Sequence, residues 1–531
     1  QIIMKKYIYT LLFLMATSSC GDFLDTVPTD FITQKNYFKT EIDVNTALTG
    51  IYDILGKTGT YGRTIYFELD ISDESFNGLS QQTVDLSLNN YDASDVKVHN
   101  LWTLLYDGIN RANIFLENID NTDLDMDPGK VKIVKGEALF LRAYYYFMLV
   151  SNWGDVPLKL ESTKSVSDVN MARTESEVVY NRIVFDMETA FSMVQPASAY
   201  TYNSRITKST IAGILARVNL KMAGYPLRKT ERFEEARSWA LVVMDPENGH
   251  ELNPDYKQIF INHCQDLYDT KECLWEVEFG KVATGGQEEE GSLGSITGIG
   301  NSDKSFGYSY GAMRTTERYY RSFEKGDLRR DWTINDYYYG TVNGVSNTHV
   351  AYSDAQIYNR SNAKWRREYE TATPKNVGTT PINFPILRYS DVLLMFAEAE
   401  NEVNGPTDEA YEAVNLVRRR AYGLNLPIPP SDIPSEVELP KDLDQTDFRL
   451  RVQKERSLEL GFEALRRFDL IRWGIYISTM RDLSNEIKNT APNSYKYAGR
   501  TADNTSERHL LLPIPSLEIA LNKLMKQNPQ W

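Results

Sequence analysis

Apolar side chains recur every three or four positions in several parts of the chain, and this spacing predicts amphipathic helices. The recurrence is clear over residues 101–119, where the apolar positions are Leu101, Leu105, Ile109, Ala112 and Leu116. It continues over residues 131–152 and in later segments: 208–223, 231–243, 390–404, 408–421, 446–461 and 464–475. Residues 174–177, Thr-Glu-Ser-Glu, predict a capping box that opens one more helix.

Consecutive helices joined by short polar turns favour stacked helical hairpins of the tetratricopeptide kind. We therefore predict a mostly α fold, in which helical repeat pairs at about 101–243 and 390–475 flank a loop-rich, irregular insertion at about 250–385. The helix at 231–243 is expected to find its partner across the insertion, at 390–404. Within the insertion, residues 274–279 are strand-like, while Gly-, Ser-, Tyr- and Asn-rich stretches predict loops. Binding residues often lie on loops that a rigid scaffold carries.

The first residues have the pattern of a bacterial secretory signal. Lys5 and Lys6 precede an apolar run that is too short to span a bilayer, and small residues precede Cys20. This order predicts a lipoprotein signal peptide over residues 1–19, a lipid on Cys20 and a single mature domain over residues 20–531. Such a lipid would anchor the protein to a membrane.

Charge and composition exclude several classes of function. The formal net charge is −15, which disfavours nucleic acid because its phosphates need neutralising Lys and Arg. The five histidines are scattered without metal-ligand spacing, and no phosphate-binding or dinucleotide motif is present, so we predict no metal and no cofactor. Cys264 and Cys273 could form a disulfide or remain as two reduced, buried thiols.

Two patterns that could indicate catalysis are better explained by structure. Residues 307–311 match the G-x-S-x-G nucleophile motif, but residues 300–305 before it predict a loop, where the motif needs a buried strand. Several charges interrupt apolar helical stripes, and we predict that they are buried ion pairs, not an acid/base pair. They are Glu137, Arg142, Glu455, Arg456, Glu459, Glu463, Asp469 and Arg472.

Several segments, in the right order along the chain, resemble the SusD/RagB family of outer-membrane nutrient-binding lipoproteins. They are residues 20–28, 102–113, 136–144, 153–157, 205–217, 455–474, 512–515 and 527–531. The resemblance implies a non-catalytic protein that binds glycans at the cell surface and delivers them to a SusC-like TonB-dependent transporter in the outer membrane. Two alternatives remain: a peptide-capturing, RagB-like protein and, less favoured, a surface glycoside hydrolase.

Aromatic side chains are the main candidates for ligand contact. Phe, Trp and Tyr make up 12% of the chain, with 33 tyrosines, and flat sugar faces stack on such rings. The resemblance implies ligand contacts in the loop before the helix at 102 and in the central insertion. Chemistry then selects six candidates: Asp73, Asn77 and Tyr91 from the first region, and Tyr308, Tyr310 and Trp365 from the second. The run Tyr337-Tyr338-Tyr339 is predicted to serve packing or a partner surface instead.

Overall fold

The fold is mostly α-helical, as predicted. The computed structural model describes residues 37–120, 124–165, 170–280 and 291–531. The predicted signal peptide and Cys20 lie outside these residues. In the described residues, no helix has both the length and the apolar character that crossing a membrane requires.

Six helices in the N-terminal half pack in chain order, each against the next. They are α1 (Glu41–Gly56), α2 (Val96–Asn118), α3 (Pro128–Trp153), α4 (Ser176–Phe191), α5 (Lys208–Ala223) and α6 (Arg232–Met244). The insertion contributes α7 (Tyr256–Gln265), α8 (Glu317–Ser322) and α9 (Arg330–Thr333). The C-terminal part contains α10 (Tyr389–Asn404), α11 (Asp408–Ala421), α12 (Gln445–Leu460), α13 (Arg466–Arg472), α14 (Tyr476–Thr490), α15 (Arg500–Asn504) and α16 (Ser516–Leu521).

Helix α6 packs against α10 across the insertion, which confirms the predicted long-range pairing. Helix α10 also packs against α11 and α12, so the two helical parts form a continuous stack. The sequence analysis missed α1, although its buried residues Val44, Leu48, Ile51 and Ile54 have helical spacing. A capping box between Thr40 and Asp43 opens that helix.

In the described residues, six short strands form three antiparallel pairs. They are β1 (Ser75–Asn77) with β3 (Met313–Thr315), β2 (Cys273–Val277) with β6 (Phe384–Arg388), and β4 (Tyr337–Val342) with β5 (Val345–Ala351). Strand β2 confirms the strand predicted within residues 274–279. The β1–β3 pair joins the loop region before α2 to the central insertion.

The predicted capping box before α4 is wrong. Glu175 is the N-cap residue and makes no side-chain cap hydrogen bond. The Thr174 backbone instead pairs with Val156, and the Ser176 amide donates to the Asp155 carboxylate at 2.8 Å. A carboxylate from the preceding loop therefore satisfies a free amide in the first turn of α4.

The charges predicted to form buried ion pairs do so, and all eight are buried. Glu459 accepts hydrogen bonds from Arg420 at 2.7 Å, Arg388 at 2.9 Å and Arg329 at 3.2 Å. Burial alone would raise the pKa of the Glu459 carboxyl, but these guanidinium groups outweigh it and hold that pKa well below its usual range. Glu459 and its arginine partners therefore link α11 and α12 to the insertion.

Candidate functional site

The two regions expected to carry ligand contacts come together at the β1–β3 pair. Ser75 lies opposite Thr315 and Asn77 opposite Met313, and the Gly78 amide continues the pairing by donating to the Ala312 carbonyl at 2.7 Å. The loop at 78–85 therefore lies beside the chain that enters β3. The sequence predicted both regions, but it gave no sign that a strand pair joins them.

The Asn77 side chain holds this loop in place through hydrogen bonds. Its side chain is 2% exposed, and its amide donates to the side-chain oxygens of Gln82 and Ser87, both at 2.9 Å. Its carbonyl oxygen accepts from the Leu79 amide at 2.9 Å. Arg500 also holds the loop, because its guanidinium donates to the Ser80 and Gln82 carbonyls at 2.6 and 2.7 Å. Asn77, a predicted ligand contact, is thus a buried residue that positions the loop.

We call the surface beside this loop the junction site and define it by Arg314, Tyr338, Tyr352 and Tyr497. Among the described residues, the Arg314 guanidinium makes one long side-chain contact, 3.5 Å, to the Tyr497 hydroxyl. Its Nε is buried and has no hydrogen-bond partner there, while the side chain as a whole is half-buried. The terminal nitrogens of such a guanidinium can bind the oxygen atoms of a ligand.

Close packing keeps Arg314 in position. A Cβ atom at Gly78 would lie 2.8 Å from the Arg314 Nε, so only glycine leaves room for this side chain. Glycine at 78 thus lets the loop backbone approach the arginine closely.

The tyrosines of the junction site are accessible to a ligand. Tyr338 is 37% exposed, while Tyr352 and Tyr497 are half-buried. The Tyr338 and Tyr352 rings lie 5.2 Å apart. Burial raises the pKa of Tyr352 above its usual value, against the nearby charge of Arg314, and it also raises the pKa of Tyr497. Both hydroxyls therefore stay protonated near neutral pH. Tyr352 donates to the Asn359 carbonyl at 3.3 Å and Tyr497 to the Gly78 carbonyl at 3.5 Å, so their oxygens remain as acceptors for a ligand.

A cavity of about 500 Å³, which we call the hairpin cavity, lies beside β4 and β5. The Tyr337 hydroxyl donates to Glu368 at 2.6 Å, and the Tyr337 ring stacks on His349 at 3.6 Å. The Arg366 guanidinium lies 4.0 Å from the Trp332 ring and donates to backbone carbonyls and to Tyr337. These polar groups already hydrogen-bond within the protein, so fewer of their donors and acceptors are open to a ligand than at Arg314.

Three further predicted contacts are buried and already have partners within the protein, so their place in ligand binding stays a prediction. Asp73 makes two 2.8 Å hydrogen bonds to Arg466, and this pairing keeps the pKa of the Asp73 carboxyl below its usual value although burial raises it. Tyr91 is 6% exposed and packs against Trp531 at 5.1 Å. Trp365 is 1% exposed.

Tyr308 and Tyr310 are the predicted candidates that remain accessible. Their rings lie 4.9 Å apart, and Tyr308 is half-buried. The segment 301–309 forms a loop closed by backbone pairing between Asn301 and Ser309. The G-x-S-x-G motif therefore lies in a loop, as predicted.

Sequence reasoning missed Arg314, Tyr338, Tyr352 and Tyr497. Strand alternation could have separated Tyr338 from its neighbours Tyr337 and Tyr339, because successive strand residues point to opposite faces. Tyr497 carries no local signal, since only the tertiary fold brings it to β1 and β3.

One buried trio in the described residues has metal-ligand chemistry, namely His263, Cys273 and Glu276. The Trp365 indole N–H donates to His263 Nδ1 at 3.4 Å, so the neutral ring carries its proton on Nε2, which faces Glu276 at 3.4 Å. Burial raises the pKa of the Cys273 thiol, which donates to Glu276 at 3.3 Å. The trio is thus a satisfied hydrogen-bond network. Cys264 and Cys273 are both free thiols.

Comparison with known proteins gives one consistent result. Residues 22–220 match a family described as starch-binding and associating with the outer membrane, and residues 271–531 match the SusD family. A SusD homologue of Bacteroides thetaiotaomicron has a crystal structure that superposes with a TM-score of 0.83 at 30% identity, covering 94% of this chain and 98% of its own. A SusD-like protein of Formosa agariphila is 27% identical over 96% of this chain and 95% of its own length.

A more distant neighbour has a described ligand. The surface glycan-binding protein A of Bacteroides thetaiotaomicron, solved in complex with laminarihexaose, has a TM-score of 0.69 at 19% identity. The alignment covers 92% of this chain and 99% of that one. At this identity the likeness shows a shared fold.

Proposed function

The chain belongs to the SusD family, and we propose that it binds oligosaccharides or polysaccharides at the cell surface without cleaving them. The observation that carries the proposal is the junction site, where the exposed Tyr338 and the half-buried Tyr352 and Tyr497 lie beside Arg314, which forms no ion pair among the described residues. The family descriptions, SusD family and starch-binding, support a carbohydrate ligand.

The chemistry of the junction site suits carbohydrate. Sugar rings have flat C–H faces that can stack on Tyr338 and Tyr352, while their hydroxyls can accept from Arg314 and donate to the tyrosine oxygens. Each stacked ring contributes about 1 kcal/mol beyond the buried area, so two or three rings give weak capture. Weak binding fits a protein that must release its ligand to a transporter, because dissociation remains fast.

The buried carboxylates favour binding over hydrolysis. Glu459 and Glu463, the acid/base pair that a hydrolase would use, are 0% and 4% exposed and are ion-paired to Arg388. A glycosidase needs two carboxyl groups that flank a bound sugar. In the structure, neither carboxylate is accessible to a polysaccharide.

We further propose a lipid on Cys20 and a SusC-like TonB-dependent transporter as partner. The signal-like residues before Cys20 support the lipid, and the family description supports outer-membrane association. Mass spectrometry of the mature N-terminus and co-purification of a barrel transporter from membranes test these points. A mature protein without acyl chains, or cleaved elsewhere, would exclude the anchor.

The binding proposal is tested with the soluble chain from residue 21 onward. We expect affinity electrophoresis against a panel of polysaccharides, including starch and laminarin, to show retardation by at least one. Tyr338→Ala should weaken binding about fivefold, the equivalent of about 1 kcal/mol. Tyr202→Ala is the matched control, because Tyr202 is 36% exposed but lies outside the junction site.

Three results would contradict the proposal: no binding to any class of polysaccharide or oligosaccharide, equal losses for both variants, or glycan turnover. Turnover that one carboxylate substitution abolishes would support a hydrolase. Binding to a peptide library without binding to glycans would support the peptide-capturing alternative.

A further inference from the structure

A small, partly open cavity lies among the helices of the scaffold, outside the junction site. Its volume is about 100 Å³, and residues of α3, α5 and α13 line it together with the segment at 61–70. Its polar lining consists mainly of Tyr61, Asp70, Tyr144, Arg217, Lys221 and Arg467. A space of this size can hold a small ion or a few water molecules.

Two of the cations that line the cavity are buried without a carboxylate partner. Lys221 is 3% exposed and makes no hydrogen bond or ion pair with any described residue; its ammonium lies 5.2 Å from the Phe468 ring. Arg467 is 8% exposed and donates to the His509 carbonyl at 2.8 Å, but forms no ion pair in the described part of the chain. Buried charges ordinarily persist only when they are paired.

The other charged groups near the cavity do not neutralise Lys221 and Arg467. Arg217 is itself paired with Asp391 at 2.6 Å. Asp70 forms no ion pair with either cation, and burial together with the charge of Glu74 raises the pKa of its carboxyl well above its usual value. One Asp70 oxygen accepts from the Ala464 amide at 3.1 Å, while the other has no partner among the described residues. The Tyr61 and Tyr144 hydroxyls hydrogen-bond to each other at 2.5 Å.

Electrostatics shows that Lys221 lacks a counter-charge. Burial, together with the positive charges of Arg472 and Arg467, lowers the pKa of Lys221 to about 7, against the weaker opposing charge of Asp469. An anion in the cavity would reverse this effect and keep the lysine protonated.

We propose that this cavity binds one small monovalent anion, a halide or a short carboxylate, between Lys221 and Arg467. The ammonium and guanidinium groups provide the charge that binds the anion. The anion would link α5 to α13 and so stabilise the scaffold that carries the junction site. This role is independent of the glycan ligand.

The experiment compares unfolding in sodium chloride with unfolding in sodium gluconate at equal ionic strength, since gluconate is too large for the cavity. We expect chloride to raise the urea midpoint of the wild type in a saturable way, because an anion that binds only the folded state stabilises it. Lys221→Met should abolish the difference between the salts. Lys132→Met, which removes an exposed lysine of α3, should retain it.

Crystals soaked in bromide provide a test that needs no variant. We expect an anomalous peak inside the cavity, within hydrogen-bond distance of the Lys221 ammonium. Equal midpoints in the two salts, a full chloride effect in Lys221→Met, or only water in the bromide-soaked cavity would each overturn the proposal.

Discussion

The Arg388 guanidinium donates to both oxygens of the Glu463 carboxylate, at 2.7 and 2.8 Å, where β6 meets the chain beyond α12. Both side chains are buried. The backbone turns sharply at this point, because Phe462 and Ala464 have φ angles of 65° and 62°. The ion pair therefore joins the end of the insertion to the turn that leads into α13, and α13 carries Arg466, the partner of Asp73.

Replacing Arg388 should strongly destabilise the protein. Arg388→Met leaves Glu463 with Lys364 as its remaining cation and removes one of the guanidinium groups around Glu459. Breaking a buried pair from one side costs about 3–5 kcal/mol, because a buried charge loses its partner. Urea denaturation followed by circular dichroism measures the loss.

The matched control is an exposed ion pair. Lys271 and Glu251 are 60% and 63% exposed in their side chains, so Lys271→Met should change the free energy of unfolding by no more than about 1 kcal/mol. Similar losses in Arg388→Met and Lys271→Met would show that the buried network does not stabilise the fold as we infer.

Helical periodicity predicted most of the scaffold because it is a local signal. The long-range pairing of α6 with α10 was also predictable, since each helix has an apolar face that needs a neighbour. Charges such as Glu459 stand within apolar stripes, which indicated their burial and pairing before the partners were known. Only tertiary structure identifies Arg388 and Arg329 as those partners, because they come from the insertion.

The site was less predictable than the scaffold, for a physical reason. Residue chemistry selected polar and aromatic side chains, but it could not separate buried ones such as Trp365 from exposed ones such as Tyr310. Exposure at an irregular loop depends on contacts from distant segments. Arg314 and Tyr497 meet only because β1 pairs with β3 and the C-terminal segment packs beside them.

Asn77 should affect ligand binding through the loop that it holds. Asn77→Ala removes the acceptor of the Leu79 amide and the donor to Gln82 and Ser87, and we expect a loss of about 1–3 kcal/mol in local stability. Hydrogen exchange of the amides in residues 79–85 should become faster. Glycan affinity should fall, because the loop beside Arg314 is no longer held in one conformation.

Asn118→Ala provides the comparison for this experiment. The Asn118 amide donates to the Ile114 carbonyl within α2, at 2.7 Å, so its loss should leave exchange in residues 79–85 and glycan affinity unchanged. Unchanged exchange in the Asn77 variant would mean that Arg500 alone suffices to hold the loop.

His509 should make the protein less stable in mild acid. Burial, together with the charges of Arg508 and Arg467, lowers the pKa of His509 from 6.5 to about 4, and its Nδ1 accepts from the Ser506 amide at 3.0 Å. Between pH 4 and pH 6.5, His509 is therefore protonated in the unfolded chain but not in the folded chain. The contribution of His509 to the free energy of unfolding is therefore full above pH 6.5 and is lost as the pH falls towards 4, by at most about 1.4 kcal/mol per pH unit.

His509→Gln removes this titration, so urea midpoints measured at pH 7 and pH 5 should differ less in the variant than in the wild type. An equal difference in both proteins would assign the acid sensitivity to other groups.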